Sequence, residues 1–420
     1  MSAFIPESDS EDELPPGWEE RATLNGEVYY ANHQVKTTQW THPRTGRKKT
    51  LSGALPFGWE RKILEDGKVL FVNHESKKTT YTDPRLAFAV EQTRKEDTFR
   101  QRFDASTTAL QILHGSDLSE KIAIVTGANS GIGFEIARSI AFHGCTTIFA
   151  CRTLRKAEEA IARVQKERKQ ARCFPGQLDL GSLRSVKAFA DHVLDQFPRL
   201  DALFLNAGVF GLDFTTTPED GCETTFQVNF LSHFYLAHLL KLRMSKTSLK
   251  PKIIVLSSES HRFSNLSEDS LSPATVCQQS KASFTSMDAY NNSKLLLLMF
   301  SLEASDRWSP LGIRCVAVHP GCLVSSNLSR HYWFYRLLFG FVRPFSKSLQ
   351  QAASSAVFSA FAPEMVESSG IYINNCFPCE PSELALSVRA RKECWEIAKT
   401  LLMQKLVTID EESAIHLEEN

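Results

Sequence analysis

The sequence lacks a charge imbalance and a secretory signal. Lys and Arg total 48 and Asp and Glu total 48 among the 420 residues, so no net field attracts nucleic acid or an anionic membrane, and no direct nucleic-acid partner is expected. Residues 1–17 are acidic and contain neither the basic start nor the apolar stretch of a signal peptide. We therefore expect a cytoplasmic protein, with the nucleus or an organelle surface as further locations.

Long hydrophobic runs are also missing. The most apolar late segment, YWFYRLLFGFVRPF, contains Arg336 and is shorter than the roughly 20 residues that a transmembrane helix needs, so no membrane span is expected. Because this segment follows a His-Pro-Gly turn, residues 331–345 are predicted to form an apolar lid over a substrate cleft. A buried core helix and a membrane-surface anchor are the alternatives, since Arg330, Arg336 and Arg343 flank the apolar residues.

The sequence also lacks a cysteine pattern typical of disulfides or of a metal site. The 10 cysteines are scattered through apolar runs, which suits buried reduced thiols better than a disulfide framework. Cys376 and Cys379 form a lone CxxC without a second cysteine or histidine pair at metal-ligand spacing. We interpret them as structural thiols and expect no metal site.

An internal repeat is present before residue 90. The stretch from Trp18 to Pro43 is echoed without gaps by the stretch from Trp59 to Pro84, 41 positions later. Each copy contains short runs rich in Tyr, Phe, Val and Thr broken by two turns, which predicts three antiparallel strands. We expect two small β modules, at residues 12–45 and 53–86.

The first copy resembles the WW domains, in which two tryptophans 20 to 22 positions apart are followed by a proline. Trp18, Trp40 and Pro43 fit this signature. The resemblance implies binding of proline-rich PPxY peptides, and the alternation of strand residues indicates the face that carries the aromatic groove. Packing alone is the alternative role for these aromatics. The binding face is expected to contain Tyr29, Ala31, His33, Lys36, Thr38 and Trp40.

The second copy departs from this pattern. Tyr81 and Leu70 replace Trp40 and Tyr29, so the groove loses both aromatic walls and we expect a module that supports the first without binding peptides independently. Arg44 to Lys49 between the copies are interpreted either as a nuclear-localisation patch or as a solvated linker. Residues 87–117 are polar and aperiodic and are assigned to a second linker.

From Lys121 onward, apolar strand-like runs alternate with helix-length segments. Strands buried on both faces and separated by helices predict an α/β fold with a Rossmann-like doubly wound parallel sheet. We assign residues 118–385 to this domain, with GIYINN near 370 as its last strand, and residues 386–420 to a C-terminal extension.

The first strand of this domain ends in TGANSGIG, a glycine turn leading into a helix. Glycines at 127, 131 and 133 permit close approach of a pyrophosphate to the helix N-terminus, whereas a purely structural turn is the alternative. The second strand ends in Cys151 and Arg152 instead of an acidic residue. Arginine suits the 2′-phosphate of NADP, so NADP is expected in preference to NAD, unless Arg152 is merely solvated.

Tyr290 and Lys294 stand four positions apart, so a helix places both on one face. A lysine ammonium near the phenol is expected to lower its pKa and to let tyrosine exchange a proton with a substrate oxygen. Ser257 and Ser258 end a strand where a hydroxyl can hold that oxygen, and we choose Ser258.

These motifs resemble the short-chain dehydrogenase/reductase family over about residues 118–380, in particular the branch that contains retinol dehydrogenases. The resemblance implies that Tyr290 is the acid/base, that Lys294 tunes it and binds the nicotinamide ribose, that Ser258 positions substrate, and that Asn229 supports a proton-relay water. It places Asp179 near the adenine. The implied cofactor-binding residues are Thr126, Gly127, Ala128, Asn129, Ser130, Gly131, Ile132, Gly133, Arg152, Asp179, Asn206, Ala207, Gly208, Lys294, Pro320 and Gly321.

Two functions follow from these features. The first is an NADP-dependent oxidoreductase acting on a lipophilic alcohol or carbonyl of retinoid or steroid type, recruited to PPxY-containing signalling proteins by the first module. The second is a signalling adaptor without turnover whose reductase domain senses cofactor. The presence of every chemical residue favours the first, and the peptide-binding tandem favours the second.

Overall fold

The computed structural model of the chain describes residues 14–23, 27–43, 48–51, 55, 58–64, 69–74, 76–88, 90–92, 101–215, 217, 219–277, 281–321 and 347–406. It divides into two compact units, Met1–Arg100 and Gln101–Asn420. The predicted lid, residues 331–345, lies outside the described residues.

The first unit contains two small antiparallel sheets of three strands each. Their strands are β1 Trp18–Ala22, β2 Val28–Asn32, β3 Thr37–Gln39, β5 Trp59–Ile63, β6 Val69–Asn73 and β7 Lys78–Thr80. Tyr30 is completely buried in the first sheet, and Phe71, its counterpart 41 positions later, is buried in the second. One central aromatic residue therefore anchors each sheet, and the turn between its last two strands contains a lysine with positive φ, Lys36 at 54° or Lys77 at 52°.

The segment between the two modules is partly structured. Strand β4 Lys48–Thr50 pairs antiparallel with β8 Val90–Gln92, which follows the 3-10 helix Pro84–Phe88. The Lys49 ammonium lies 3.5 Å from a Glu20 carboxylate oxygen, and its side chain is only 16% exposed. Lys49 is therefore not part of a freely solvated linker, whereas Arg44 and Arg47 lie outside the described residues.

The second unit is built on a sheet of eight strands in the order β11-β10-β9-β12-β13-β14-β15-β16. All neighbouring pairs are parallel except β15 and β16. The strands are β9 Ile122–Thr126, β10 Thr146–Cys151, β11 Cys173–Gln177, β12 Ala202–Leu205, β13 Lys252–Leu256, β14 Arg314–His319, β15 Ile371–Asn374 and β16 Phe377–Cys379. The parallel doubly wound sheet is confirmed, but GIYINN is not its last strand, because an antiparallel hairpin strand follows.

Helices cover both faces of this sheet. They are α1 Ala109–Ile112, α2 Gly131–Phe142, α3 Leu154–Glu167, α4 Leu183–Gln196, α5 Thr224–Phe226, α6 Ser232–Thr247, α7 Pro273–Val276, α8 Ser286–Trp308, α9 Leu349–Ala352, α10 Ser354–Phe361, α11 Glu383–Leu386 and α12 Val388–Leu406. Short 3-10 turns occur at Glu259–Phe263, Glu268–Ser270, Lys281–Ser283, Ser309–Leu311 and Pro363–Met365, and a π-helical turn spans Gln227–Leu231.

Helix α8 is buried along most of its length. Thr285 caps its N-terminus by accepting the Asp288 N–H at 3.0 Å, and the helix packs against β13 and β14 on one side and α12 on the other. A helix that is apolar nearly all round belongs in a core, which explains the LLLLMF run. Tyr290 and Lys294 are thus carried by a rigid, enclosed element.

Two segments that the sequence assigned outside the α/β domain contribute to the second unit. In the assigned linker, Thr108 and Gln111 form a capping box for α1, whose Ala109 and Ile112 are buried. In the assigned extension, Trp395 of α12 lies 5.0 Å from the Phe234 ring and stacks on Phe300 at 5.9 Å between ring centres. Both segments are part of its packing.

Candidate functional site

The turn after β9 requires glycine, because a side chain at its key positions would be strained or would clash. Gly127 and Gly131 adopt φ values of 69° and 62°, and a Cβ on Gly133 would lie 2.3 Å from Asn206 Nδ2 and 2.6 Å from the Gly127 carbonyl oxygen. Helix α2 begins at Gly131. Its first backbone N–H groups therefore face the turn, an arrangement that suits a phosphate group.

An open cleft of about 720 Å³ runs along the carboxyl ends of the parallel strands. Two predicted site residues do not line it. Both Ala128 and Asn229 are buried. The predicted residues that do line the cleft are Thr126, Gly127, Asn129, Ser130, Gly131, Ile132, Gly133, Arg152, Asp179, Asn206, Ala207, Gly208, Ser258, Tyr290, Lys294, Pro320 and Gly321.

The two serines after β13 face different partners. The Ser258 side chain lies close enough to the Tyr290 phenol to lower its pKa. The Ser257 hydroxyl instead donates to the Lys294 backbone carbonyl at 2.8 Å and is buried. Ser258 is therefore the serine that faces the phenol in the cleft.

Burial governs the pKa values of Tyr290 and Lys294. It raises the pKa of Tyr290 to about 12, although the Ser258 hydrogen bond acts in the opposite direction. It lowers the pKa of Lys294 to about 8. The Lys294 ammonium lies 5.6 Å from the Tyr290 ring centre and donates to the Leu256 carbonyl at 2.8 Å. The pKa of Tyr290 therefore moves opposite to the expectation that Lys294 would lower it, because desolvation is its largest influence and the influence that opposes it comes from Ser258.

Asn229 joins two walls of the cleft through its side-chain amide. Its Oδ1 accepts the Val209 N–H at 2.7 Å, and its Nδ2 donates to the Val209 carbonyl and to Ser293 Oγ, both at 3.0 Å. Asn229 lies in the π-helical turn, a feature often found at functional sites. The amide thereby ties the loop after β12 to helix α8 beside Tyr290.

Thr126 and His233 form a buried polar link that the sequence did not indicate. The Thr126 hydroxyl accepts the N–H groups of Asn206 and Ala207 at 2.9 Å and lies 3.0 Å from His233 Nε2. Burial lowers the pKa of His233 to about 4, so the ring is neutral, and its Nδ1 donates to the Asn229 carbonyl at 2.9 Å. The link needs strands β9 and β12 to be adjacent, which no local sequence signal reveals.

The two ends of the cleft differ in character. At the end of β10, Arg152, Thr153 and Lys156 line the cleft, and Arg152 is exposed. At the other end, the Phe210 ring meets the Tyr290 ring edge-on at 4.9 Å between centres, with Leu212 nearby in the lining. The cleft thus runs from a basic rim to an apolar wall beside the phenol.

In the first module, Tyr29 and Trp40 meet at 5.9 Å between ring centres with an angle of 66°, and Trp40 is 50% exposed. His33 Nε2 lies 2.7 Å from a Glu19 carboxylate oxygen. Lys36 and Thr38 are exposed, and Ala31 is half-buried. Tyr30 is buried on the opposite face, so the predicted binding residues share one accessible surface.

The second module retains half of this arrangement. His74 Nε2 lies 2.8 Å from a Glu60 carboxylate oxygen, which reproduces the contact of the first module. Leu70 is half-buried where the first module has Tyr29, and Tyr81 is 66% exposed. No aromatic pair is therefore possible at these two positions.

Comparison with known proteins supports this architecture. The WW domain family model matches residues 14–43, and the short chain dehydrogenase model matches residues 121–267. A WW domain-containing oxidoreductase of Drosophila melanogaster is 52% identical over 95% of this chain and 98% of its own length. The chain belongs to the WW domain-containing oxidoreductase family. Membership of the WW domain-containing oxidoreductases confirms the predicted combination of WW and short-chain dehydrogenase/reductase domains.

Other relatives of this WW domain-containing oxidoreductase family member share its larger unit. Retinol dehydrogenase 12 of Mus musculus is 34% identical and covers 67% of this chain and 86% of its own length. A short-chain type dehydrogenase/reductase from Mycobacterium marinum has a TM-score of 0.51 and 20% identity, covering 63% of this chain and 96% of its own, which supports the fold alone. Among the described residues, no helix has the length and apolar character needed to cross a bilayer.

Proposed function

We propose that this oxidoreductase uses NADP(H) to interconvert a lipophilic alcohol and its carbonyl, of retinoid or steroid type. The observation that carries the proposal is that Ser258, Tyr290 and Lys294 line one cleft, with the serine close enough to lower the pKa of the phenol and the lysine one helical turn further along. This is the geometry that proton exchange with a carbonyl oxygen requires. We place the activity in the cytoplasm, with the nucleus or an organelle surface as further locations.

The cleft is proposed to hold a dinucleotide along its length. The glycine turn from Thr126 to Gly133 offers backbone N–H groups to the pyrophosphate, and Arg152 with Lys156 offers two cations to a 2′-phosphate. Asp179 would lie near the adenine, and Lys294 would hold the nicotinamide ribose. The remaining proposed contacts are Asn206, Ala207, Gly208, Pro320 and Gly321.

A bound nicotinamide supplies or accepts the hydride at the substrate carbon. In the reducing direction, Ser258 donates a hydrogen bond that orients the carbonyl, and Tyr290 gives its phenolic proton to the carbonyl oxygen. The carbon has then gained a hydride and the oxygen a proton, which yields the alcohol. The Lys294 ammonium stabilises the resulting phenolate, and Asn229 supports the water that returns a proton.

The substrate class is inferred from the apolar wall. Phe210 covers one edge of the Tyr290 ring, so a substrate carbonyl at the phenol has an aromatic neighbour instead of solvent. The similarity to retinol dehydrogenase 12 points in the same direction. A flat apolar carbonyl compound such as a retinoid or steroid suits this wall.

The first module is proposed to recruit this activity to PPxY-containing signalling proteins. Its exposed Trp40 and the Tyr29 ring form an aromatic slot, and a polyproline II ligand loses little entropy on docking in such a slot. The second module supports the first.

Turnover by the full-length chain tests the enzymatic proposal. We expect consumption of NADPH, followed at 340 nm, with retinaldehyde or a steroid ketone, and slower consumption with short aliphatic ketones. Tyr290→Phe is the matched control that retains the cleft. Tight NADPH binding without turnover of any carbonyl would contradict the proposal and favour the adaptor that senses cofactor.

A further inference from the structure

His261 lies directly beneath the Ser258 turn. It belongs to the 3-10 turn Glu259–Phe263, for which Ser258 is the N-cap residue, and it is 1% exposed. The Ser258 carbonyl accepts the His261 backbone N–H at 3.0 Å and lies 2.6 Å from His261 Nδ1. One backbone oxygen of the serine that faces Tyr290 is therefore held twice by the same histidine.

The second ring nitrogen reaches another part of the chain. The Ser382 backbone N–H donates to His261 Nε2 at 3.1 Å. Because an N–H group can only donate, Nε2 must be the acceptor, and in a neutral ring Nδ1 then carries the proton. Nδ1 accordingly donates to the Ser258 carbonyl, so both ring nitrogens are matched in a single tautomer.

The surroundings keep the ring neutral and fixed. Burial and the nearby Arg262 guanidinium lower the pKa of His261, against the opposing effect of its bond to Ser258 and of the Glu259 carboxylate. The Tyr372 ring meets the imidazole edge-on at 5.2 Å between centres, and the Tyr372 hydroxyl donates to Glu259 at 3.0 Å. The imidazole therefore has one orientation in which all its contacts are satisfied.

We propose that His261 is a positioning residue, which holds the Ser258 turn so that the Ser258 hydroxyl stays within hydrogen-bond reach of Tyr290 and which anchors that turn to the segment before helix α11. Its effect on turnover rests on the proposed function. Its effect on the Ser258–Tyr290 hydrogen bond is a property of the protein alone. The two effects are therefore measurable separately.

Two substitutions separate the hydrogen bonds of the ring from its bulk. In His261→Gln the amide offers one donor and one acceptor and is expected to replace the ring, whereas His261→Leu offers neither. Ser382→Pro removes the N–H that fixes Nε2 together with a buried hydroxyl, and the Ser382 φ of −66° already suits proline. His238→Phe serves as a control for the loss of a half-buried histidine outside the cleft.

The hydrogen bond itself is tested by carbon NMR of the full-length protein labelled at the ζ carbon of tyrosine. The Tyr290 resonance is identified by its loss in Tyr290→Phe. We expect His261→Leu and Ser382→Pro to move this resonance towards its position in Ser258→Ala, while His261→Gln and His238→Phe leave it near the wild-type position. A wild-type resonance in folded His261→Leu overturns the proposal, and if that variant does not fold, an unchanged resonance in Ser382→Pro overturns it.

Kinetics provide the second readout. A displaced reacting group costs on the order of a hundredfold in rate, so kcat with NADPH and retinaldehyde should fall by about that factor in His261→Leu, with unchanged NADPH affinity and with recovery in His261→Gln. Equal losses in His261→Leu and His238→Phe would overturn the positioning role. If the wild type turns over no carbonyl while the NMR pattern holds, the proposed function fails and the positioning of Ser258 stands.

Discussion

At the scale of single residues, burial is the dominant influence on the reacting groups. It moves the pKa of Tyr290 up and that of Lys294 down, so at neutral pH the phenol retains its proton and much of the lysine population keeps its charge. A protonated phenol is the form that donates to a carbonyl oxygen. At neutral pH the protein by itself therefore holds Tyr290 in the protonated form that the proposed reduction requires.

Tyr290→Phe should abolish reduction without affecting cofactor binding. The phenyl ring fills the same space but has no proton to give, and loss of a general acid typically costs a factor of about 10² to 10⁴. Steady-state kinetics and NADPH fluorescence titration measure the two effects. Retention of more than about a tenth of the wild-type kcat would be incompatible with a factor of that size and with Tyr290 as the proton donor.

Arg152→Asp should reverse the coenzyme preference from NADPH to NADH. The guanidinium would pair with a 2′-phosphate, and a charge-assisted hydrogen bond contributes about 1.5–3 kcal/mol, which corresponds to a tenfold to hundredfold change in affinity. Arg155→Asp is the matched control, because Arg155 is exposed and pairs with Glu159 outside the cleft. Fluorescence titration with NADPH and NADH measures the preference. An unchanged preference in Arg152→Asp would mean that other residues bind the 2′-phosphate.

Sequence spacing was sufficient to predict the position of some of these residues, but not the orientation or the pKa of others. Tyr290 and Lys294 share a face because they are one helical turn apart, which any helix guarantees. The distinction between Ser257 and Ser258 depends on which hydroxyl faces the phenol. The direction of the Tyr290 pKa depends on desolvation, which only the packed structure provides.

At the scale of elements, the cofactor turn depends on how closely β9, α2 and β12 approach one another. Gly133 is the point of closest approach, since its Cβ would overlap the Asn206 amide and the Gly127 carbonyl. Gly131 differs, because nothing lies within 4 Å of its missing Cβ and only its φ of 62° favours glycine.

Gly133→Ala should therefore eliminate NADPH binding, whereas Gly131→Ala should weaken NADPH binding less. An alanine at positive φ costs about 1–2 kcal/mol, so Gly131→Ala is expected to lower the free energy of unfolding by about that amount without displacing the Asn206 amide or the Gly127 carbonyl. Isothermal titration and chemical denaturation measure both quantities. Equal NADPH affinities of the two variants would contradict the proposed role of the close approach.

Elements with a strong local signal were predictable, and those defined by partners were not. The apolar strands of the parallel sheet stand out in the sequence, and Pro175 fits β11 because this strand lies at the sheet edge. Strand β16 has only three residues and exists because β15 offers it an edge. Helix α12 was assigned to an extension because its many polar residues give no local sign of burial. The residues that Trp395 packs against lie on α6 and α8.

At the scale of the whole molecule, the two repeated modules share one fold but differ in the residues at their peptide-binding positions. The first should bind PPxY peptides with micromolar affinity, and the second should not.

Trp40→Ala should abolish binding without unfolding the module, because Trp40 is half exposed while Tyr30 forms the buried anchor. Tyr81→Ala, at the equivalent exposed position of the second module, is the control. Calorimetry on the full chain measures both, and equal losses in the two variants would refute the assignment.

Acid should destabilise the larger unit, because it buries several histidines in neutral form. Burial lowers the pKa of His233 and His319 to about 4 and that of His238 to about 3, whereas an exposed histidine in the unfolded chain titrates near 6.5. Below that pH the unfolded state binds more protons, so stability is complete above about pH 6.5 and falls as the pH decreases towards 4. Asp201, whose pKa is lowered against burial by its bond with Arg199, adds to this loss only at the acid end.

His238→Phe tests the origin of this acid sensitivity. Its ring lies between Phe234, Trp308 and Trp395, at 4.3 to 5.0 Å between ring centres, so phenylalanine preserves the packing and loses the bond to the Phe234 carbonyl. Urea denaturation of the full chain at pH 7.5 and pH 5 should show a smaller loss of unfolding free energy in His238→Phe than in the wild type. The variant should be less stable than the wild type at pH 7.5, because that hydrogen bond is missing, and the difference should narrow at pH 5. An identical pH dependence in both proteins would mean that His238 is protonated in the folded state at the same pH as in the unfolded chain, and the neutral aromatic cluster would have to be abandoned.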